Sequence, residues 1–180
     1  QKRNSQRDST ASMYTLAVVA VADATMAIAA DATTEDAAKV TAVADATKMK
    51  TAVVILNWNT EGFLREFLPG LIHSIAKVEG AEVIVADNAS TDGSLEVMRK
   101  EFPQVRTLQF ERNFGFTGGY NKAFSQIDSD YFVLINSDIE VTEDWLQPLV
   151  DWMDHHPECG ACAPKLHSWQ ERTMFEYAGA

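Results

Sequence analysis

Three apolar runs, Ala52–Leu56, Glu82–Ala86 and Tyr131–Ile135, each end on a short polar motif. Each run has the length and the β-branched content of a buried strand, and helix-period stretches lie between them. Strands alternating with helices restrict a chain to a mostly parallel sheet with helices on both faces, because parallel strands need crossover connections. The fold class is therefore α/β. In such sheets ligands bind outside the carboxyl ends of the strands, where the strand order reverses. The motifs Asn57-Trp58-Asn59, Asp87-Asn88-Ala89-Ser90-Thr91-Asp92-Gly93 and Asn136-Ser137-Asp138 are expected to converge there on one polar site suited to a nucleotide and a cation.

The pattern predicts strands over Thr51–Leu56, Ala81–Ala86, Val105–Phe110, Tyr131–Ile135 and Cys159–Ala163. A helix capped by Thr60 should run to about Lys77, with Phe63, Phe67, Leu71 and Ile75 repeating along it and Pro69-Gly70 as a candidate kink. Further helices are expected over Ser94–Glu101, from Thr117 to Ile127, and from Thr142 to His155. In the last of these, Trp145 and Trp152 should face the core.

The 180 residues suit one domain with a tail, and net charge is −11. Nucleic acid is excluded as a partner, because phosphate neutralisation needs a basic face. Residues 1–48 hold five Lys or Arg against six Asp or Glu, so the remainder carries −10. A domain this acidic needs a metal ion or local donors to handle phosphates. Residues 1–48 repeat Ala-Asp-Ala-Thr three times and lack Trp, Phe, Gly and Pro, which reads as a low-complexity leader, foreign to the domain or disordered. A secretory signal fits less well, because Asp23 interrupts the apolar stretch. The domain proper is assigned to residues 49–180. Two cysteines are too few for a disulfide framework and fit a reducing compartment.

Asp87 stands where a carboxylate can accept hydrogen bonds from a ribose hydroxyl or a base edge. The same string also reads as a turn, with Asp92 or Ser94 capping a helix. It is not a calcium loop, since Arg99 falls where a bidentate Glu is required. Asp138, just off a buried strand, can ligate Mg²⁺ or Mn²⁺ through oxygen, or can simply end the strand. Arg112 to Asn121 carries three glycines in five residues at a helix start. That composition permits close backbone approach and favours anions, or forms a flexible loop.

Taken together and in order, Val53–Asn59, Asp87–Ser94, Asn113–Asn121 and Asn136-Ser137-Asp138 resemble the amino-terminal half of a family 2 glycosyltransferase of the GT-A type, closest to the rhamnosyltransferase-like branch. The likeness covers residues 51 to about 166. It implies a Rossmann-like three-layer sandwich, truncated at the carboxyl end. It also implies an enzyme that moves a sugar with inversion from a nucleoside diphosphate sugar to a hydroxyl of a saccharide or lipid-linked acceptor, in surface polysaccharide or glycolipid synthesis. By this resemblance Asn57, Asn59, Asp87 and Asn88 bind the nucleotide. Asn113, Gly115, Gly118, Gly119 and Asn121 line the donor pocket beside Asn136, and Asp138 is the surviving carboxylate of a DxD motif holding Mg²⁺ or Mn²⁺. Asn136 replaces that motif's first Asp, which leaves metal dependence open. The general base of the family lies in a later motif, so it is expected beyond Ala180. The resemblance places the protein in the cytoplasm, at the inner face of the membrane through peripheral association; oligomeric state is unreadable.

A non-catalytic nucleotide-sugar-binding fragment is the alternative of a different class. A more distant one is a zinc or redox module built on Cys159 and Cys162 with His155, His156 and His167 nearby, although the spacing matches no standard finger.

Overall fold

The computed structural model describes residues 16–20 and 49–177. A six-stranded sheet carries the fold, in the order β4-β3-β2-β5-β1-β6. Its strands are β1 (Leu16–Ala20), β2 (Thr51–Asn57), β3 (Ala81–Asp87), β4 (Arg106–Gln109), β5 (Tyr131–Ile135) and β6 (Ala161–Cys162). β4, β3, β2 and β5 run parallel, while β1 lies antiparallel between β5 and β6. β1 comes from the Ala/Thr-rich stretch; the rest of that stretch, and the repeats in it, lie outside the described residues. A two-stranded ribbon, β7 (Leu166–His167) with β8 (Phe175–Tyr177), follows the sheet.

The helices are α1 (Glu61–Ile75), α2 (Ser94–Glu101), α3 (Gly115–Phe124) and α4 (Gln147–His155). Successive strand residues point to opposite faces, and each face has its own core. Val53, Ile55, Val83, Val85, Val133 and Ile135 pack against Leu64, Leu68 and Leu71 of α1, Val97 and Met98 of α2, and Val150 and Met153 of α4. On the other face Ala52, Val54, Ile84, Ala86 and Phe132 pack against Tyr120 and Ala123 of α3. A sheet covered on both sides explains the continuous apolar runs and gives the expected three-layer α/β sandwich.

Several boundaries differ from the sequence reading. The buried stripe of α1 is Leu64, Leu68, Leu71 and Ile75, not the phenylalanines. Phe63 is exposed, and Phe67 turns to the helix flank, where it meets Trp169 edge-on at 5.5 Å. Both registers repeat at helical spacing, and the leucines fit the groove above Ile55 and Val85. Pro69 sits inside α1 without ending it. α3 begins at Gly115, whose φ of +71° marks the turn into the helix. α4 begins only at Gln147, because residues 138–142 leave the sheet as a loop that lines a cavity. Trp145 packs on the core, whereas Trp152 is 53% exposed and stacks on His156 at 3.7 Å.

Candidate functional site at the carboxyl edge of the sheet

β2 and β3 stay in register to the pair Asn57–Asp87, and β2 and β5 to the pair Ile55–Ile135. Asp87 therefore ends β3, and Asp138 follows the end of β5 by three residues, at the same edge of the sheet with β2 between the two strands. The strand order reverses between β2 and β5, so this edge is the topological switch point.

Two hydrogen-bonded nets cross-tie the loops there. In the first, Asp87 is 1% exposed and accepts from Asn57 Nδ2 at 2.8 Å and from the Ser90 N–H at 2.9 Å. Asn57 Nδ2 also reaches Ser90 Oγ at 3.0 Å, and its Oδ1 accepts from the Thr60 hydroxyl. Thr60 thus ties back into the net and does not cap α1 through its side chain. Asn59 Oδ1 accepts from the Thr91 N–H at 2.7 Å and the Asp92 N–H at 3.3 Å, and its own N–H donates to Ser90 Oγ. Asn59 and Ala89 both adopt left-handed backbone, φ 55° and 62°. For Ala this conformation costs on the order of 1–2 kcal/mol, a strain of the kind that clusters at ligand sites.

Asn88, also buried, anchors the second net. Its Nδ2 donates to Asn113 Oδ1 at 2.9 Å and to the Gly115 carbonyl at 3.1 Å; its Oδ1 accepts from the Phe114 N–H at 2.9 Å. Asn113 Oδ1 also accepts from the Gly115 N–H at 2.7 Å, which closes the start of α3. The Asn88 N–H joins the two nets by donating to the Asn57 carbonyl at 2.8 Å.

The glycines set how closely α3 approaches. A Cβ on Gly119 would lie 2.7 Å from Leu56 Cδ1 and 3.2 Å from Asn88 Nδ2, so a side chain there would lift the helix off the sheet edge. Gly118 is nearly as tight, 3.2 Å from Phe114 Cβ. Asn121 is exposed on α3. Tyr120 is buried, and its hydroxyl donates to the Ile135 carbonyl at 3.2 Å. Burial drives its pKa well above the usual phenol value.

Asn136 and Ser137 turn toward α1, where they border a small crevice with Leu64, Phe67 and Leu68. Asp138 is half-buried on the wall of a larger cavity of about 380 Å³. Ile139, Val141 and Leu166 give that cavity apolar sides; Glu140, Glu176, His167, Trp169 and Arg172, with the Thr142 and Ser168 hydroxyls, supply its polar groups. Asn57, Asn59, Asp87, Asn88, Asn113 and Gly115 thus come together in one network, while Asp138 lines the cavity and Asn136 the crevice that follow β5. Sequence reasoning missed Ser90, Thr60 and Tyr120 as linkers, and missed the whole ribbon wall of the cavity. Ser90 was signalled by its place in the Asp87 motif, whereas Arg172 carried no local signal.

The residues fit a hard divalent cation. Such ions take one or two protein carboxylates and fill the rest of their shell with water and phosphate oxygens. Asp138 offers one such carboxylate, and among the described residues no three His, Cys, Asp or Glu side chains gather into a protein-only cage. The cysteine pair supports neither distant alternative. Cys159 Sγ meets the Ala161 carbonyl at 3.3 Å, and burial together with Cys159 pushes the Cys162 thiol up, away from a reactive thiolate. His155, His156 and His167 each direct Nδ1 at a backbone carbonyl.

Comparison with known proteins bears on this edge. A Mycobacterium tuberculosis N-acetylglucosaminyl-diphospho-decaprenol L-rhamnosyltransferase is 27% identical over 125 residues, 63% of this chain and 40% of that protein. The Staphylococcus aureus poly(ribitol-phosphate) β-N-acetylglucosaminyltransferase TarS is 27% identical over 60% of this chain and 19% of its own length. The chain therefore spans two-fifths or less of these relatives. TarS structures with UDP and with UDP-GlcNAc superpose with a TM-score of 0.53, covering 61% of this chain and about a third of theirs. A Pyrobaculum calidifontis mannosyltransferase solved with GDP-Man and Mn²⁺ shares the fold at 20% identity and the same TM-score. The sandwich is thus of the GT-A type seen in solved glycosyltransferases. The glycosyl transferase family 2 model matches residues 52–175, from the second residue of β2 to the first of β8 and with all four motifs inside it, and the chain belongs to that family.

Proposed function

We propose that this chain forms the nucleotide-sugar-binding part of a glycosyltransferase that moves a sugar, with inversion, from a nucleoside diphosphate sugar to a hydroxyl acceptor in surface-polysaccharide or glycolipid synthesis. The observation that carries the reading is the convergence of the Asn57–Asp87 net, the start of α3 and Asp138 on one edge, beside a cavity of ligand size.

Asp87 lies at the floor. Each of its oxygens takes one protein donor and keeps a second acceptor position, so a ribose or base donor can be added without breaking the net. Trp58 and Asn59 form the exposed rim above it. The α3 start, with Gly115, Gly118, Gly119 and Asn121, turns a helix amino terminus toward the diphosphate. Asp138, with Asn136 behind it, would hold Mg²⁺ or Mn²⁺. That cation would neutralise charge developing on the departing diphosphate. The acceptor hydroxyl would approach from the cavity side, opposite the leaving group, with its general base supplied outside the matched motifs. The acceptor is assigned as a phosphate-bearing saccharide or lipid-linked saccharide, by likeness to the relatives' printed activities. Work at the cytoplasmic membrane face, through peripheral contact, belongs to the same proposal. No helix among the described residues is long and apolar enough to cross a membrane.

Calorimetric titration with UDP tests the reading. Saturable binding that strengthens with Mn²⁺ is expected. Asp138→Ala should remove about tenfold or more of that Mn²⁺-dependent affinity, the order of one lost charged ligand. Equal Mn²⁺ dependence in Asp138→Ala and the unmodified chain would take Asp138 out of the metal role. Absence of UDP binding would end the functional assignment. Binding without turnover would favour a non-catalytic binding segment, in line with the fraction of its relatives that the chain spans.

A further inference from the structure

The cavity beside Asp138 is closed on its far side by the β7–β8 ribbon. Among the described residues lining it, Arg172 is the only permanently cationic side chain. Its guanidinium lies over the Trp169 ring, 4.8 Å from the centroid, and Trp169 is braced edge-on by Phe67 of α1. Nη2 donates to Glu140 Oε2 at 2.6 Å, and the Arg172 carbonyl meets His167 Nδ1 at 2.8 Å. The backbone and the plane of the group are therefore both set. A guanidinium carries five N–H donors in a fixed fork. The Glu140 contact uses Nη2, so the fork keeps donors for a second partner, and the side chain is 64% exposed.

We propose that Arg172 is a phosphate-recognition residue, and that the phosphate it reads belongs to the acceptor. A net charge of −10 over residues 49–180 opposes a phosphate group, so a local cation is required wherever one must dock. Position separates the acceptor from the donor. The nets around Asn57, Asp87 and Asn113 tie the β2 and β3 ends to the starts of α1, α2 and α3. None of their residues lines the cavity, which is bounded by Asp138–Thr142 and the ribbon. A group held by Arg172 therefore docks beside Asp138, apart from the residues that would hold the nucleotide. Planar bidentate pairing suits a phosphate oxygen pair better than a neutral hydroxyl. Asp138, Glu140 and Glu176 also line the cavity, so Arg172 is the group there that can offset their charge toward an anion. Glu140 acts as the internal partner that such a phosphate displaces.

The inference rests on the functional reading above, and its test separates the two. The full chain is titrated with UDP and Mn²⁺, with N-acetylglucosamine 1-phosphate and ribitol 5-phosphate, and with the neutral N-acetylglucosamine and ribitol. Calorimetry and tryptophan fluorescence report binding, the latter through Trp169 beneath the guanidinium. Arg172→Gln should weaken both phosphate fragments about tenfold or more, as for loss of a charge-assisted pair, and leave UDP within about twofold. It should leave any binding of the neutral compounds unchanged, and Arg172→Lys should recover part of the loss. Unchanged fragment affinity in Arg172→Gln overturns the proposal. An equal loss of UDP affinity also overturns it, by moving Arg172 to the donor. A wild-type chain that binds UDP but neither fragment overturns it while the donor reading stands. If Arg172→Gln does not fold, Glu140→Gln carries the test. Freeing the guanidinium should tighten both fragments about threefold or more without moving UDP, and unchanged or weaker binding overturns the proposal.

Discussion

Asp92 ties together two segments that meet only in the folded chain. Its Oδ2 accepts the Glu61 N–H at the start of α1, and its Oδ1 accepts the Ser94 N–H at the start of α2, both at 3.0 Å. Burial pushes this carboxyl up, but the hydrogen bonds from the Glu61 and Ser94 N–H groups help outweigh that effect and hold its pKa below the ordinary 3.8. A depressed folded-state value means that the ionised form stabilises the fold fully above 3.8, and that this contribution drains away as pH falls through the lower value. The urea midpoint should therefore drop more steeply between about pH 5 and pH 2.5 in the natural chain than in Asp92→Asn. Parallel curves would show that Asp92 does not contribute this dependence. Asp92 was legible as a cap, since Asp before Ser at a helix start is local chemistry. That it also caps α1, 31 residues upstream, was not, because that bond exists only once β2 and β3 are paired. The same limit hid the use of Asn57 and Asn88, whose side chains serve partners far away in the chain.

α3 sits where it does because Gly119 lets it. Gly119→Ala would place a methyl group against both Leu56 Cδ atoms and is expected to cost about 1–3 kcal/mol, the usual range for overpacking. Leu56→Ala in the same chain should return part of that cost, so the double-mutant cycle should show coupling of about 0.5 kcal/mol or more. Strictly additive losses in chemical denaturation would show that this contact does not fix the helix. β2, β3 and β5 were legible because a sheet covered on both faces favours long apolar runs; β1, inside the Ala/Thr-rich stretch, and the β7–β8 ribbon were not expected. Helix faces were less legible. The phenylalanines and leucines of α1 repeat at equivalent spacing, and only the width of the groove above Ile55 and Val85 selects the leucines. The late start of α4 was likewise hidden, because Thr142, Glu143 and Asp144 have good helix-start chemistry, but Thr142 lines the cavity and Glu143-Asp144 form a turn ahead of the helix.

A ligand that binds only the folded protein stabilises it by RT ln(1 + [L]/Kd), about 2.7 kcal/mol at a hundredfold excess over Kd. The two nets join β2, β3 and α3, and Asp138 adjoins β5, so UDP with Mn²⁺ should raise the midpoint of unfolding of the entire domain as a single transition. The Asp138→Ala variant should show a smaller rise. A thermal scan in which UDP shifts only a minor early phase, or nothing, would place the nucleotide off this edge. The candidate site was legible in its donor half, where each motif follows its strand directly. The ribbon half was not: Arg172 and Glu140 are 32 residues apart, and neither belongs to a recognisable pattern.

The asparagine cross-ties have a further consequence. Because Asn57, Asn59, Asn88 and Asn113 already hold their loops in place through the protein's own bonds, an incoming nucleotide meets a template whose shape is set beforehand. Little chain entropy is left to lose on docking, so the heat-capacity change of association should be small and governed by the area of base and ribose covered, with no folding component.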